Sequence, residues 1–193
     1  MADFLVVIDA QNDFIEGNLG TKEAQQVVPK IVQRIQQSQS EIILFTKDTH
    51  YTDYLQTSEG INLPIEHCII NTEGWHINKE IRRAWKNNTN TIVLNSNANR
   101  GLDINNTIQK PTFGSIALMG VYSQLMSPNG GKDDTVELCG FCTDVCVITN
   151  ALMAKSLLPE ANIIVNSQLC AGTTPEKHEM ALEIMKACQI KVV

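Results

Sequence analysis

Three of the chain's six cysteines fall within eight residues of the segment Leu138–Ala151, LCGFCTDVCVITNA. A strand-like run leads into Gly140, a turn follows, and a helix is expected from Thr143, whose hydroxyl suits an N-cap. Cys146 then lies in the first helical turn. A thiol there feels the positive end of the helix and ionises more readily. The free backbone N–H groups of the same turn can hold an oxyanion. The chemistry this arrangement offers is a thiolate nucleophile beside its oxyanion hole. Cys146 also reads as a buried structural thiol, the role assigned here to Cys68, Cys170 and Cys188. A third reading joins Cys139, Cys142 and Cys146 as a thiolate metal site, although Cys139 sits in a strand and no fourth ligand is close in sequence.

Two further clusters are able to do chemistry. Asp9 ends the apolar run FLVVID, where a carboxylate is costly unless paired or used. Lys110, in QKPTFG, can pair with it, and a cysteine, a carboxylate and a lysine make a workable hydrolytic set. Taken alone, Lys110 reads as a surface lysine. Asp48 and His50, two residues apart, follow a second apolar run. His67 can complete a facial metal set with them, and Glu59 can add a carboxylate. A capping aspartate and a loop histidine account for the same pair. His76 and His178 read as structural or surface groups, His178 on a solvated helix face.

These residues need elements to position them. Strand-length apolar runs at Phe4–Asp9, Glu41–Thr46, Thr91–Leu94, Thr135–Cys139, Ala161–Val165 and Ile190–Val193 alternate with helical patterns. Ala24, Val27, Val28, Ile31, Val32 and Ile35 follow helical spacing, and Ile77–Lys86, Ser115–Met126, Thr143–Leu158 and Pro175–Ala187 read as helices. Such alternation predicts a three-layer α/β/α domain over residues 1–193, with a mostly parallel central sheet of about six strands. Ligands of such sheets bind beyond the carboxyl ends of the strands, where Asp9, Asp48, His50, Cys142 and Cys146 are all expected. The Asn-rich stretch 87–107 is expected to form an exposed excursion.

Composition limits the partners. Hydrophobic residues make up 43% of the 193 and charged residues 19%, an ordinary globular balance. The formal net charge is −6 and no basic patch stands out, so neither nucleic acid nor an anionic membrane is an expected partner. No apolar run approaches a membrane span, and the first residues lack a signal-peptide pattern. A cytoplasmic protein with reduced thiols is the expectation. The phosphate-loop, dinucleotide-fingerprint, nucleophile-elbow and zincin motifs are absent.

Taken in order, VIDAQNDF at 7–14, TKDTH at 46–50, EHC at 66–68, KPTFG at 110–114 and GFCTDVCV at 140–147 resemble the isochorismatase-like cysteine hydrolases, most closely the nicotinamidases. The tail CAGTTPE at 170–176 also fits that family. The resemblance implies the isochorismatase-like hydrolase fold and a triad of Asp9, Lys110 and Cys146. It implies a cis peptide between Phe141 and Cys142, with the N–H groups of Cys142 and Cys146 forming the oxyanion hole. It implies one divalent zinc, iron or manganese ion on Asp48, His50 and His67, with Glu59 the best placed further ligand and Tyr54 a poorer one. The implied substrate is a small amide, and a homo-oligomer is expected. The sequence departs from the nicotinamidases where an aromatic residue packs on the substrate ring, since Leu63-Pro64-Ile65 stands there. Phe14 or Trp75 is the expected substitute in the substrate pocket.

Overall fold

The computed structural model describes residues 3–39, 41–94, 102–103, 105–126 and 131–193. Strand β1 (Asp3–Ile8) is buried from Phe4 to Ile8 without alternation, and β2 (Ile42–Asp48) is buried throughout. That pattern belongs to strands covered on both faces. They join β3 (Thr107–Lys110), β4 (Thr135–Phe141), β5 (Asn162–Ala171) and β6 (Lys191–Val192) in one sheet of order β3-β2-β1-β4-β5-β6. Every pairing is parallel.

The helices are α1 (Asn12–Ile15), α2 (Lys22–Gln37), α3 (Ser58–Asn62), α4 (Lys79–Asn87), α5 (Ile116–Leu125), α6 (Ile148–Leu157) and α7 (Pro175–Ala187). Helix α2 packs on α4 and across β4 and β5, burying Ala24, Val27, Val28, Ile31 and Ile35. Helices α5, α6 and α7 pack in succession on β3, β5 and β6. The result is the expected three-layer α/β/α fold. None of the described helices is long and apolar enough to cross a membrane.

From β1 the chain steps outward to β2 and β3, then resumes at β4 on the other side. This reversal opens a crevice beyond the carboxyl ends of β1 and β4. The two strands approach closely there: Gly140 pairs with Ile8 at φ +117°, and a Cβ on it would run into the Ile8 carbonyl. Only glycine takes that backbone without strain.

Three expectations need correction. The run 91–94 is not a strand; the strand beside β2 is Thr107–Lys110. The buried amide of Asn106 stands between 91–94 and the sheet. It donates to the carbonyls of Ile43 (3.0 Å) and Ile92 (2.8 Å) and accepts from Leu94 N (2.9 Å). A side chain thus takes up the polar groups a ladder would have used, and Ile92 and Val93 stay exposed. Asn106 also runs against the expected exposed excursion, of which 95–101 and 104 lie outside the described residues.

The second correction concerns residues 143–158. Thr143–Val147 forms a π-helical turn, and the α-helix proper starts at Ile148. Thr143 does not cap it. Its hydroxyl bonds Nδ1 of His178 on α7 at 2.8 Å, so His178 is a half-buried packing partner and not part of a solvated face. Third, Cys188 is exposed, whereas the other five cysteines are buried.

Candidate active site

Four strand ends deliver the chemistry. Asp9 follows β1 in the left-handed region (φ 46°) and is fully buried, with its carbonyl accepting from Gln11 N at 2.7 Å. Aspartate tolerates that conformation better than most residues, and such positions cluster at functional sites. Thr46 on β2 donates its hydroxyl to Asp9 Oδ1 at 2.7 Å and accepts from Asp9 N at 3.1 Å. Lys110 ends β3. Its ammonium lies 2.6 Å from Asp9 Oδ2, 3.6 Å from Asp48 Oδ1, and donates to Cys146 Sγ at 3.5 Å. Cys146 sits in the π-helical turn after β4, 3% exposed. The structure thus brings Asp9, Lys110 and Cys146 together, with the lysine between acid and thiol.

Burial and pairing compete in this cluster. Burial would pull the Lys110 ammonium down, but Asp9, Cys146 and Asp48 outweigh it, and its pKa is raised. Asp9 is pushed up by burial, against Lys110, which draws it down. The Cys146 thiol lies well above its ordinary value because burial outweighs the help of Lys110. The early helical position favours ionisation, but burial opposes it more strongly.

Beside this cluster, Asp48 ends β2, His50 follows it, and Glu59 and His67 come from the segment between β2 and α4. One ligand atom from each lies within 4.8 Å of all the others. His50 Nε2 and His67 Nε2 are 3.2 and 3.5 Å from Asp48 Oδ2, and 3.6 and 3.7 Å from Glu59 Oε1. Ligands about 2.0–2.2 Å from one tetrahedral ion stand roughly 3.3–3.6 Å apart, so the four donors fit a single divalent cation. Two imidazoles and two carboxylates suit zinc, iron or manganese. Burial alone would raise Asp48, but Lys110 and the two histidines hold it well below the carboxylate range. Burial pushes His67 down, and Asp48, the Ile65 carbonyl and Glu59 together more than restore it. Tyr54 is not among these donors. Its hydroxyl donates to the Leu63 carbonyl at 2.9 Å, and its ring packs on both imidazoles, 4.7 and 5.0 Å between centroids.

Cys142 and Cys146 open onto a cavity of about 400 Å³, which Asp48, Glu59 and His67 also line. That volume suits a small organic ligand. Its apolar wall includes Phe14, Leu63, Phe113 and Val145, and Lys177 of α7 reaches its rim. The Phe141–Cys142 peptide is cis. Trp75, the other expected pocket residue, does not line this cavity. Its indole N–H donates to Thr49 Oγ1 at 2.9 Å, and its ring lies under the Lys47 ammonium in the wall of a separate cavity. The thiolate metal site is not formed either. Cys139 is buried inside β4, and the described metal-type cluster contains no cysteine.

Several positioning groups escaped the sequence reading. The Gln11 amide clamps the backbone of Asp48, donating to its carbonyl at 2.8 Å and accepting from its N–H at 2.7 Å. Asp13 Oδ2 accepts from Cys68 N at 2.7 Å and so fixes the residue after His67. Asn150 holds the reactive turn: its amide donates to the carbonyls of Cys146 (2.8 Å) and Phe113 (3.0 Å) and accepts from Ser115 N (3.0 Å). A lone buried asparagine in an apolar helix was the available signal for it. Replacing Gln11 by alanine is expected to weaken metal binding about 10- to 100-fold, the usual cost of removing an outer support from a metal site. Competition between the protein and a chromophoric chelator for zinc measures this, and an unchanged affinity would remove Gln11 from the metal site's support.

A family model for the isochorismatase domain matches residues 3–126 and 107–193. Among solved structures, nicotinamidase/pyrazinamidase PncA from Bacillus subtilis superposes with a TM-score of 0.75 at 23% identity, covering 100% of both chains. The pyrazinamidase/nicotinamidase from Streptococcus mutans gives 0.74 at 21% identity, again over 100% of both chains. Pyrazinamidase of Pyrococcus horikoshii, solved in complex with zinc, gives 0.70 at 23% identity over 100% of this chain and 99% of that one. No curated protein matches the sequence. At these identities the solved structures speak for the fold, while the family model spans nearly the whole sequence; the chain belongs to the isochorismatase family.

Proposed function

We propose that the protein is a cysteine-dependent amidohydrolase that converts nicotinamide to nicotinic acid and ammonia. The observation that carries this reading is the Lys110 ammonium held between Asp9 and Cys146 beneath the cavity. Asp9 takes the proton of the neutral Cys146 thiol as its sulfur attacks the carboxamide carbon. Lys110 keeps its charge throughout and compensates the carboxylate and the developing thiolate. The tetrahedral oxyanion rests on the N–H groups of Cys142 and Cys146, a contact worth roughly 3–4 kcal/mol per donor elsewhere. The C–N bond breaks, Asp9 returns the proton to the leaving ammonia, and an acyl thioester remains on Cys146. Asp9 then deprotonates a water, which cleaves the thioester and frees acid and thiol.

Asp48, His50, His67 and Glu59 would hold a zinc, iron or manganese ion. Bound there, it supplies a Lewis-acid anchor for a ring nitrogen of the substrate. Phe14 and Phe113 offer the aromatic surface that 63–65 lacks. One observation favours a second substrate within the same chemistry. The Lys177 side chain at the rim would suit a small amide or ureide bearing a carboxylate.

Ammonia release from nicotinamide, pyrazinamide, benzamide and carboxylate-bearing ureides, with and without added zinc, iron or manganese, separates the two. Nicotinamide is expected to turn over fastest, with a requirement for metal. Turnover of a ureide alone would replace nicotinamide by the second reading. No turnover of any amide would remove the amidohydrolase reading itself.

A further inference from the structure

Adjacent residues of a strand face opposite sides of the sheet, so Lys47 points away from the side that Asp48 serves. Behind β2, Lys47 enters the wall of a second cavity of about 520 Å³. Its other cations are Lys79, Arg82, Arg83 and Lys86, and Trp75 forms part of the same wall. The four come from α4 at positions i, i+3, i+4 and i+7, which is one face of the helix. Five cations thus share one cavity in a chain of net charge −6.

A basic helix face is often no more than a solvated surface, but here five cations share a lining that holds one carboxylate, Asp103. Among the described residues, none of the five forms an ion pair, although Glu80 lies on the same helix. Asp103 accepts from Asn105 N (2.8 Å) and Thr107 N (2.9 Å) through Oδ1 and favours the charged forms of Lys47 and Arg82 from a distance, one negative charge against five positive ones. Lys47 is only 7% exposed. Its ammonium lies 2.8 Å from the centroid of the Trp75 ring and has no hydrogen-bond acceptor among the described residues. An ammonium has three donors, which the oxygens of an anionic ligand can take up. Arg82 is fixed without a direct ion pair. Its guanidinium stacks over Phe45 (4.6 Å) and donates to two neutral oxygens, Asn105 O (3.1 Å) and Thr107 Oγ1 (2.9 Å).

We infer that this cavity is a second binding site, for a phosphorylated small molecule whose phosphate groups engage Lys47 and the basic face of α4. Five cations against one carboxylate call for more than one negative charge, and guanidinium and ammonium groups together match phosphate oxygens. The volume is that of small-molecule sites and exceeds what a bare phosphate needs. Lys47 is too deeply set for an extended polyanion, which would meet only the outer residues of α4.

The chain has two tryptophans, so a Trp85→Phe variant reports on Trp75 alone. Its fluorescence is followed during titration with pyrophosphate, ADP and adenosine, at low and at physiological salt. Saturable one-to-one binding of pyrophosphate and ADP is expected, with none of adenosine. The exposed pair Arg83→Ala/Lys86→Ala is expected to weaken it about tenfold or more, and Lys47→Met by a similar factor. Calorimetry on the unaltered protein gives the same test should Trp85→Phe not fold. Absence of saturation with both phosphates, or equal affinity in the Arg83→Ala/Lys86→Ala variant, would overturn the site. So would binding confined to heparin or RNA, which would identify an open polyanion surface instead.

Discussion

Replacing Lys110 by methionine is expected to lower kcat/KM about 10²- to 10⁴-fold and to cost the fold about 3–5 kcal/mol. Both effects have one origin. The Lys110 ammonium is the cation nearest to two buried carboxylates, 2.6 Å from Asp9 and 3.6 Å from Asp48. Removing one member of a buried pair leaves its partner as an uncompensated charge. Asp9 then answers by holding its proton to higher pH, because Lys110 is what draws it down against burial. The sign follows directly: a base with a higher pKa is active only at higher pH, so the acidic limb of the kcat/KM profile moves alkaline. The thiol shifts upward too, since Lys110 also favours its ionised form. A purely structural lysine would lower stability and leave the shape of the pH profile unchanged. The pH profile and a denaturant titration of the same variant therefore separate the two roles.

Replacing Cys146 by alanine is expected to behave differently. Turnover falls by at least about 10⁴-fold, the scale seen when a nucleophile is removed from a hydrolase. The fold is expected to survive. The side chain lost is small, and its backbone stays anchored by the Asn150 amide on the Cys146 carbonyl. The donors Asp48, His50, Glu59 and His67 are untouched, so zinc affinity and substrate binding are retained. Calorimetric titration of nicotinamide into the zinc-loaded variant checks binding, and ammonia release checks turnover. Near-normal turnover in this variant would reassign the chemistry to another group.

Some of this architecture was legible in the sequence, and the reasons are physical. Runs such as FLVVID and the helical spacing from Ala24 to Ile35 report burial on one or both faces, which periodicity encodes. Asp9, Asp48, His50, Cys142 and Cys146 could be expected at one edge because parallel strands bring their carboxyl ends together, whereas the short strand that ends at Lys110 was not legible. What periodicity cannot show is competition for polar groups. The run 91–94 has strand composition, but Asn106 reaches the neighbouring carbonyls first. The surroundings of the Cys146 thiol were legible only in part, for a related reason. Helix position is visible in a sequence, whereas the burial that outweighs it is not. Gln11 and Asp13 act through partners 37 and 55 residues away, so no local pattern marks them. The basic cavity escaped notice likewise, because Lys47 is 32 residues from the start of α4 and only the fold puts them together.

The central claim is that the Cys146 sulfur forms a covalent acyl intermediate while an amide is hydrolysed. Rapid acid quenching of the metal-loaded protein during turnover of nicotinamide, followed by intact and peptide mass spectrometry, tests it most directly. The account predicts a nicotinoyl adduct on the peptide containing Cys146, formed before the first equivalent of nicotinic acid and absent from Cys146→Ala. Hydrolysis with no adduct at any quench time, continuing unchanged in Cys146→Ala, would contradict it.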